Sequence, residues 1–302
     1  MKSDLEITLL GRFSVRYQST ALLDRAPLRA QELFAYLLLH RGRAHTREAL
    51  ADVLWDERES EHVRKYLRQA LWQLHAGLLP LGPKHASNLI HAETGWVEIV
   101  GDVAAELDVA TFERAFGQAR GSKGESLQAD QARALSQAVQ LYRGDLLENW
   151  SHEWCVRERD RFRQMHLTIL DKLMDYCEAR AEYEAGIAYG TLSLRSDPAR
   201  ERTHRSLMRL FALSGDRTAA IRQFERCCAA LHEDLDVVPE DSTLALYVEI
   251  RNGRIGAGDS ARSTIAEGAD KTTSAPNPAS PAPASPAPAP LRVVRKSAGP
   301  RR

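Results

Sequence analysis

The sequence predicts a mainly helical protein of mixed α and β structure, in which a small α+β domain precedes an all-α domain and a disordered C-terminal tail. Short strand-like segments alternate with three segments of helical periodicity in residues 1–105. Only long amphipathic segments follow in residues 106–252. Residues 253–302 are rich in Pro, Ala and Ser, a composition that cannot bury a core. We therefore expect two folded domains and a tail.

The first domain begins with two strand-like segments, 6–10 and 13–17, on either side of Gly11. A first amphipathic helix follows and ends at Gly42. Thr46 is then placed to cap a second helix, because a threonine hydroxyl can accept a hydrogen bond from the first helical turn.

The third helix, residues 60–79, has apolar residues at the spacing of one buried helix face. This apolar stripe consists of Val63, Leu67, Leu71, Leu74 and Leu78. After this helix, residues 88–99 alternate as a β-hairpin around a turn at 93–95. Strands, three helices and a hairpin occur in the order of a winged helix-turn-helix, so we predict that fold for residues 1–105.

The local charge pattern indicates a surface suited to nucleic acid. The whole chain is balanced, with 41 basic and 41 acidic residues, but it contains no Asp or Glu from His62 through Ala92. An acid-free stretch over one helix and the following hairpin suits contact with phosphates. The candidate DNA-binding residues are Arg64, Lys65, Arg68, Gln69, Trp72 and Gln73 on the third helix, Arg43, Thr46 and Arg47 near the second helix, and Lys84 and His91 near the wing.

Individual side chains on the third helix suggest roles in reading bases. Arg68 has the paired donors that suit guanine, while Gln69 and Gln73 have the donor and acceptor that suit adenine. Trp72 either stacks on DNA or covers a neighbouring domain. For each residue the alternative is an ordinary solvated helix face. Because the positive charges are few, we expect weak binding by one molecule and a need for paired half-sites.

An internal repeat predicts the architecture of residues 106–252. Residues 182–187 align with residues 216–221, which places Ile187 and Ile221 34 residues apart. This is the tetratricopeptide (TPR) period, and Pro198 lies at a junction between helices where that repeat often carries Pro. The sequence therefore predicts a TPR-like stack of helix pairs with a concave surface for a ligand or partner.

Several function classes lack support in the sequence. Residues 121–124 are Gly-Ser-Lys-Gly but do not form a P-loop, and no nucleophile triad or metal-ligand cluster is evident. We therefore expect no enzyme activity, catalytic residue, metal or cofactor. Cys155, Cys177, Cys227 and Cys228 lack paired spacing and are expected to be reduced and mostly buried. The absence of a long apolar run and of a signal peptide predicts a cytoplasmic protein without membrane contact.

A series of motifs in a fixed order connects the chain with a known family. The motifs are LLGRFSV (9–15), LFAYLLLHRGRAHTREALADVLW (33–55), VRKYLRQALWQL (63–74), ELDVATFE (106–113), LYRGDLLENW (141–150), EWCVRERDRFR (153–163), DPARERTHRSLMRLFALSGDRTAAIRQFERC (197–227) and VPEDSTLALYVEI (238–250). Over residues 5–252 the chain resembles the SARP-type transcriptional regulators, which join an OmpR-type winged helix to a bacterial transcriptional activator domain (BTAD). Two features depart from the family pattern. Members commonly carry more Arg at the end of the third helix, where this chain has Trp72, Gln73, His75 and Ala76, and Asp236 replaces the usual Gly before the final helix.

The resemblance implies a sequence-specific DNA-binding regulator, interpreted here as an activator. It implies binding to promoter direct repeats as tandem or dimeric molecules, and recruitment of RNA polymerase. Asp56, Glu57 and Glu59 are candidates for the polymerase contact, or alternatively stabilise the start of the third helix through its dipole. A second hypothesis is a TPR-like adaptor whose winged helix mediates protein–protein contacts.

Overall fold

The computed structural model describes residues 5–55, 60–82, 89–100 and 107–255, and it begins with a small antiparallel sheet. Strands β1 (Leu5–Thr8), β2 (Ser14–Tyr17) and β3 (Thr20–Ala21) lie side by side in that order. Ile7 pairs with Val15, and both side chains are fully buried, as expected for alternating strands with one face on a core. Gly11 lies between β1 and β2 with φ of +102°, a conformation that favours glycine. The two strands predicted around Gly11 are confirmed.

Three helices follow this sheet. They are α1 (Leu28–Leu39), α2 (Arg47–Leu54) and α3 (Ser60–Leu78). The Thr46 hydroxyl accepts a hydrogen bond from the amide of Ala49 at 3.2 Å, which confirms the predicted cap of α2. Both α1 and α2 pack against α3, so α3 has one face on the core and one face outward.

A second antiparallel sheet completes the N-terminal part. Its strands are β4 (His45–Thr46), β5 (Ile90–Ala92) and β6 (Trp96–Ile99), in the order β4-β6-β5. The predicted hairpin is therefore confirmed as β5 and β6. Strand β4 was not predicted from the sequence, because a strand of two residues is too short to show alternation. Burial lowers the pKa of His45 in this strand below its ordinary value of 6.5. The order of elements is that of a winged helix-turn-helix.

Residues 107–255 are helical. The structure describes seven α-helices there: α4 (Asp108–Gln118), α5 (Ala129–Leu141), α6 (Glu153–Ala179), α7 (Tyr183–Ser196), α8 (Glu201–Leu213), α9 (Arg217–Leu235) and α10 (Asp241–Arg251). Each helix from α4 to α9 packs against the next one along the chain, as in a stack of helix pairs.

The repeat predicted from the sequence is visible in α7 and α9, which begin at Tyr183 and Arg217, 34 residues apart. Gly186 and Ala220 occupy equivalent positions in these helices, and both are buried. A Cβ atom on Gly186 would lie 3.0 Å from the Leu210 side chain, so the close contact of α7 with α8 leaves little room for a larger residue at this position. The TPR-like architecture is therefore confirmed.

Asp236 adopts a left-handed conformation, with φ of +53°, immediately after α9. Helices commonly end in this conformation, usually at a glycine. Asp236 therefore adopts the conformation in which a glycine is usual, since Asp tolerates the left-handed region better than most residues.

The apolar core is continuous from the winged helix into the helical part. It runs from Ile7 in β1 through α1 and α3 to Leu173 in α6, and two smaller clusters lie further along the stack. The boundary between the domains 1–105 and 106–252 stays a prediction, and the predicted tail lies outside the described residues from 256 onward.

The structure also bears on the cysteines and on membrane contact. Cys155, Cys177 and Cys227 are buried and Cys228 is half-buried, all four as free thiols. Burial raises the pKa of Cys155 and of Cys227 to about 12, which makes these thiols poor nucleophiles. Among the described residues, no helix combines the length and apolar character needed to cross a membrane.

Candidate nucleic-acid interface

Helix α3 is held by an apolar stripe that fixes which of its faces points outward. Val63, Leu67, Leu74 and Leu78 are at most 4% exposed, and Leu71 is half-buried. These are the residues predicted from the spacing, and they pack into the core with α1 and α2. Because the inner stripe is continuous along the helix, the polar residues between its members are turned outward.

The structure exposes most of the polar residues predicted on this helix. Arg64, Lys65, Arg68, Gln69 and Trp72 are exposed, and Gln73 is half-buried. Trp72 has 71% of its surface exposed, so no part of the described chain covers it. Tyr66 is 38% exposed on the same helix and was missed by the sequence analysis, which had assigned no role to an aromatic residue beside the apolar stripe.

The outward face of α3 carries positive charge with little local neutralisation. The guanidinium of Arg64 lies 3.8 Å from the Glu48 carboxylate of α2, and both side chains are about two-thirds exposed, at 66% and 64%. An ion pair this exposed contributes little, about 0–1 kcal/mol, and can be exchanged for a phosphate contact. Lys65 and Arg68 have no ion-pair partner among the described residues. The face therefore presents three basic side chains to solvent.

Arg47 connects the start of α2 to the turn of the wing. Its backbone amide donates to the Gly95 carbonyl at 3.1 Å, and its side-chain Nε donates to the Glu93 carbonyl at 2.9 Å. Pairing of β4 with β6 brings these residues together. Arg47 was predicted from the sequence as a DNA-binding residue, whereas this wing contact was not predicted, because residues 47 and 93 are distant in the chain. The guanidinium thus helps to set the position of the wing relative to α2.

The remaining predicted residues are divided between the exposed surface and segments outside the described residues. Arg43 and Thr46 are exposed, although the Thr46 hydroxyl already serves as the cap of α2. His91 is exposed on the wing, with Nε2 at 3.4 Å from the Glu93 carboxylate and its ring tilted by 55° against that of Trp96, at 5.1 Å between centroids. Lys84 and the acidic residues Asp56, Glu57 and Glu59 lie outside the described residues.

Three of the family-like motifs meet at one junction between the first sheet and the helical part. The Asp108 carboxylate, at the start of α4, accepts hydrogen bonds from the amides of Leu9 and Leu10 at 2.8 Å each. The amide of Leu147 donates to the Leu9 carbonyl at 3.0 Å. Burial raises the pKa of Asp108 to about 6, while the hydrogen bonds from the backbone act in the opposite direction. Residues 9–15, 107–113 and 141–150 therefore share contacts, and these contacts join segments too far apart in the chain to be predicted from local patterns.

A second polar contact joins the same two parts of the chain on α1. Glu32 is 2% exposed, and its carboxylate accepts from Arg29 at 3.1 Å and contacts Nε2 of His152 at 2.7 Å. Because His152 immediately precedes α6, this contact ties the helix-turn-helix to the long helix of the helical part. A buried carboxylate is tolerated there because both of its oxygens have partners.

The fold and the basic outer face of α3 define the class of this protein as a DNA-binding transcription regulator. A helix-turn-helix with a wing places such a helix where it can enter the major groove. Within the described residues there is no group of His, Cys, Asp and Glu side chains arranged to hold a metal ion.

Comparison with known proteins finds similarity to transcriptional regulators. Residues 107–251 match the family described as bacterial transcriptional activator domain. The chain is 24% identical over 248 residues to the transcriptional regulatory protein MoaR1 of Mycobacterium tuberculosis, covering 82% of this chain and 79% of MoaR1. It is 25% identical over 272 residues to the transcriptional regulatory protein EmbR of M. tuberculosis, covering 87% and 67% of the two chains. It is 23% identical over 218 residues to the regulatory protein AfsR of Streptomyces coelicolor, covering 72% of this chain and 21% of AfsR.

A solved structure shows the same fold. M. tuberculosis EmbR, in complex with a low affinity phosphopeptide, superimposes with a TM-score of 0.69 at 20% identity, covering 87% of this chain and 69% of EmbR. The match of the activator domain and the similarity to these transcriptional regulators support the resemblance to the SARP-type regulators inferred from the sequence.

Proposed function

We propose that this regulator binds promoter DNA through the outer face of α3 and activates transcription by recruiting RNA polymerase. The observation that carries the proposal is the exposure of Arg64, Lys65 and Arg68 on a helix whose opposite face is locked into the core. A rigid helix presenting basic and amide side chains is what base reading in the major groove requires.

The proposal assigns base contacts to the middle of α3. Arg68 would donate two hydrogen bonds to a guanine, and Gln69 would pair with an adenine edge. Gln73 is half-buried, so its contact would be made at the side of the helix. Trp72 would stack on sugars or bases, since its indole is the most exposed aromatic side chain described on this helix.

Backbone contacts are proposed for the basic residues around the base-reading face. Arg43, Arg64 and Lys65 would bind phosphates, as would Lys84, and His91 would approach a groove from the wing. Thr46 and Arg47 would contact the backbone next to the groove while holding α2 and the wing. Such a small set of charges supports few phosphate contacts, so we propose that two molecules bind adjacent direct repeats.

Binding to labelled genomic promoter fragments tests the proposal. Footprinting with the full chain should reveal paired sites in direct repeat. The Arg68→Ala variant should lose about 1–3 kcal/mol, or about 5- to 150-fold in affinity, and should relax the preference at one base pair. The matched control is Arg222→Ala, which removes an exposed arginine from α9 and should leave affinity unchanged.

Salt dependence separates phosphate contacts from base contacts. Removing Lys65 should weaken binding to all sequences alike and should reduce the slope of log affinity against log salt by about 1. If neither the full chain nor any variant bound genomic DNA at low salt, the proposal would be wrong. Stable capture of a protein through the winged helix would then favour the adaptor hypothesis.

Polymerase recruitment is tested by transcription from a footprinted promoter with purified polymerase. The full chain should raise the number of transcripts. Replacing Asp56, Glu57 and Glu59 by alanine should reduce transcription while leaving DNA binding intact, because the polymerase contact is proposed for that acidic segment. Loss of both together would assign those residues to the stability of α3 instead.

A further inference from the structure

The last two helices and the segment between them expose a concentration of apolar surface. Five of the eleven large apolar side chains exposed among the described residues lie between positions 235 and 248. They are Leu235 (59% exposed), Val237 (48%), Val238 (84%), Leu244 (41%) and Val248 (49%). Helical-repeat stacks normally end in a helix with a polar outer face. This end of the described stack is not capped in that way.

The orientation of α10 is fixed by contacts on its inner side. Thr243, Leu246 and Ile250 are buried against the stack, and the Thr243 hydroxyl donates to the Glu201 carboxylate at 2.5 Å. The rings of Phe224 and Tyr247 stack at 4.2 Å between centroids, which fastens α10 to α9. The outer face of α10 is therefore determined.

A regular stripe runs along that outer face. It consists of Asp241, Leu244, Val248 and Arg251, at steps of three, four and three residues, and all of these residues are exposed. Residues at these steps lie on one line along a helix. Within the described residues, Asp241 and Arg251 have no ion-pair partner. The stripe thus has an acid at one end, a base at the other and two apolar residues between them.

This stripe is complementary to itself when a second α10 is placed antiparallel. Leu244 then faces Val248 of the other copy, and Asp241 faces Arg251 of the other copy. Both pairings are centred on the same position, residue 246, so one two-fold axis satisfies them together. Each copy supplies the same surface, and the contact joins two apolar centres flanked by two opposite-charge pairs.

We propose that the outer face of α10, with Leu235, Val237 and Val238 beside it, is a two-fold contact between two copies of this chain. This inference goes beyond the proposed function, because the contact forms without DNA. A two-fold axis inverts one copy relative to the other, whereas the copies on a direct repeat have the same orientation. The contact would therefore join copies bound at separate sites, and it would not set the spacing within one direct repeat.

The oligomeric state of the full chain without DNA tests the proposal. Sedimentation or light scattering from low to several hundred micromolar should show a monomer–dimer equilibrium. The double variant Leu244→Glu, Val248→Glu should be monomeric, because four carboxylates would meet at the axis. The control Val156→Glu, at an apolar position of α6 that is 42% exposed, should dimerise like the wild type.

A charge exchange tests the geometry itself. Asp241→Arg and Arg251→Asp should each weaken dimerisation about tenfold, since each creates two like-charge pairs across the axis. The variant that carries both changes should regain the wild-type dimerisation constant. All four proteins should give the same helical circular dichroism, because both positions are exposed.

Three outcomes would overturn the proposal. The full chain could stay monomeric over the whole concentration range, which would assign the apolar face to another occupant, such as the residues after 255 or a different protein. A dimer insensitive to the Leu244→Glu, Val248→Glu change would lie elsewhere on the molecule. A failure of the exchanged pair to recover dimerisation would exclude the antiparallel arrangement.

Discussion

Replacement of Arg159 by alanine should destabilise the fold and loosen the junction between the winged helix and the helical part. The Arg159 guanidinium donates to three backbone carbonyls: Leu146 at 2.9 Å, Leu147 at 2.7 Å and Trp150 at 2.8 Å. The loop that it holds pairs with the first sheet, since the Leu147 amide donates to the Leu9 carbonyl at 3.0 Å. The effect should therefore reach beyond the loop.

The magnitude follows from these three hydrogen bonds. Leu146 and Leu147 are at most 1% exposed, so water reaches their surroundings poorly when the guanidinium is removed. Each buried polar group left without a partner costs about 1–3 kcal/mol, and such costs are not additive within one cluster. The Leu147 carbonyl keeps the hydrogen bond from the Trp150 amide at 2.9 Å, so the carbonyls of Leu146 and Trp150 are the two that lose their partner. Taking the low end for each of these two gives a loss of about 2 kcal/mol in the free energy of unfolding. An Arg159→Lys variant should lose about half of that, because one ammonium cannot reach all three oxygens in the same geometry.

Urea denaturation followed by tryptophan fluorescence measures the effect, since Trp150 and Trp154 lie next to the loop. The matched control is Arg157→Ala on the same helix, where the side chain is 73% exposed and its guanidinium lies 3.8 Å from Glu153. That change should cost less than about 0.5 kcal/mol. If Arg159→Ala and Arg157→Ala had the same unfolding midpoint, the guanidinium would not hold the loop and the argument from the three carbonyls would fail.

Three further predictions concern packing, protonation and the wing. Gly190→Ala should destabilise the stack by about 1–3 kcal/mol, because the added Cβ would lie 2.6 Å from the Leu207 side chain. In the control Gly117→Ala the added Cβ meets nothing within 4 Å, so thermal unfolding should show a neutral or stabilising effect. Burial raises the pKa of Asp108 from 3.8 to about 6, so the native state binds this proton more tightly than the unfolded chain. The resulting stabilisation, up to about 3 kcal/mol, is complete below pH 4 and is lost as pH rises through 6. Urea titrations at several pH values should therefore show a free energy of unfolding that falls over this range in the wild type and not in Asp108→Asn. The same pH dependence in both proteins would contradict the prediction. Arg47→Ala should speed amide exchange in the wing turn while leaving that of α3 unchanged, and unaltered exchange in the wing would show that Arg47 does not position it.

Much of the fold could be predicted from the sequence because helical and strand periodicities are local. The spacing of Val63, Leu67, Leu74 and Leu78 predicted the buried face of α3, and the structure buries all four. The polar face was then predicted as the side of the helix opposite this stripe, although Gln73 is less exposed than its neighbours. The 34-residue repeat likewise predicted the helix pairs, since each repeat is a short unit with its own small-residue contacts.

The charge of the candidate site could be predicted from the sequence, whereas the contacts that hold its elements in place could not. The stretch without Asp or Glu can be seen directly in the sequence, so the basic face of α3 was predicted. The contact of Arg47 with the Glu93 carbonyl was not, because it depends on β4 pairing with β6. The basic face of α3 therefore arises from residues close together in the chain, whereas the contact that positions the wing joins residues far apart in the chain.

What the sequence determined by itself is the set of elements, the apolar stripe of each helix and the place where positive charge is free of acids. Only the tertiary structure decided that Asp108 would bind the amides of residues 9 and 10, and which face of α10 the described residues would leave exposed. The physical reason is that a stripe is set by neighbours three or four residues away, whereas these contacts join residues far apart in the chain. Their partners are chosen by the packing of whole elements, and that choice has no periodic trace in the sequence.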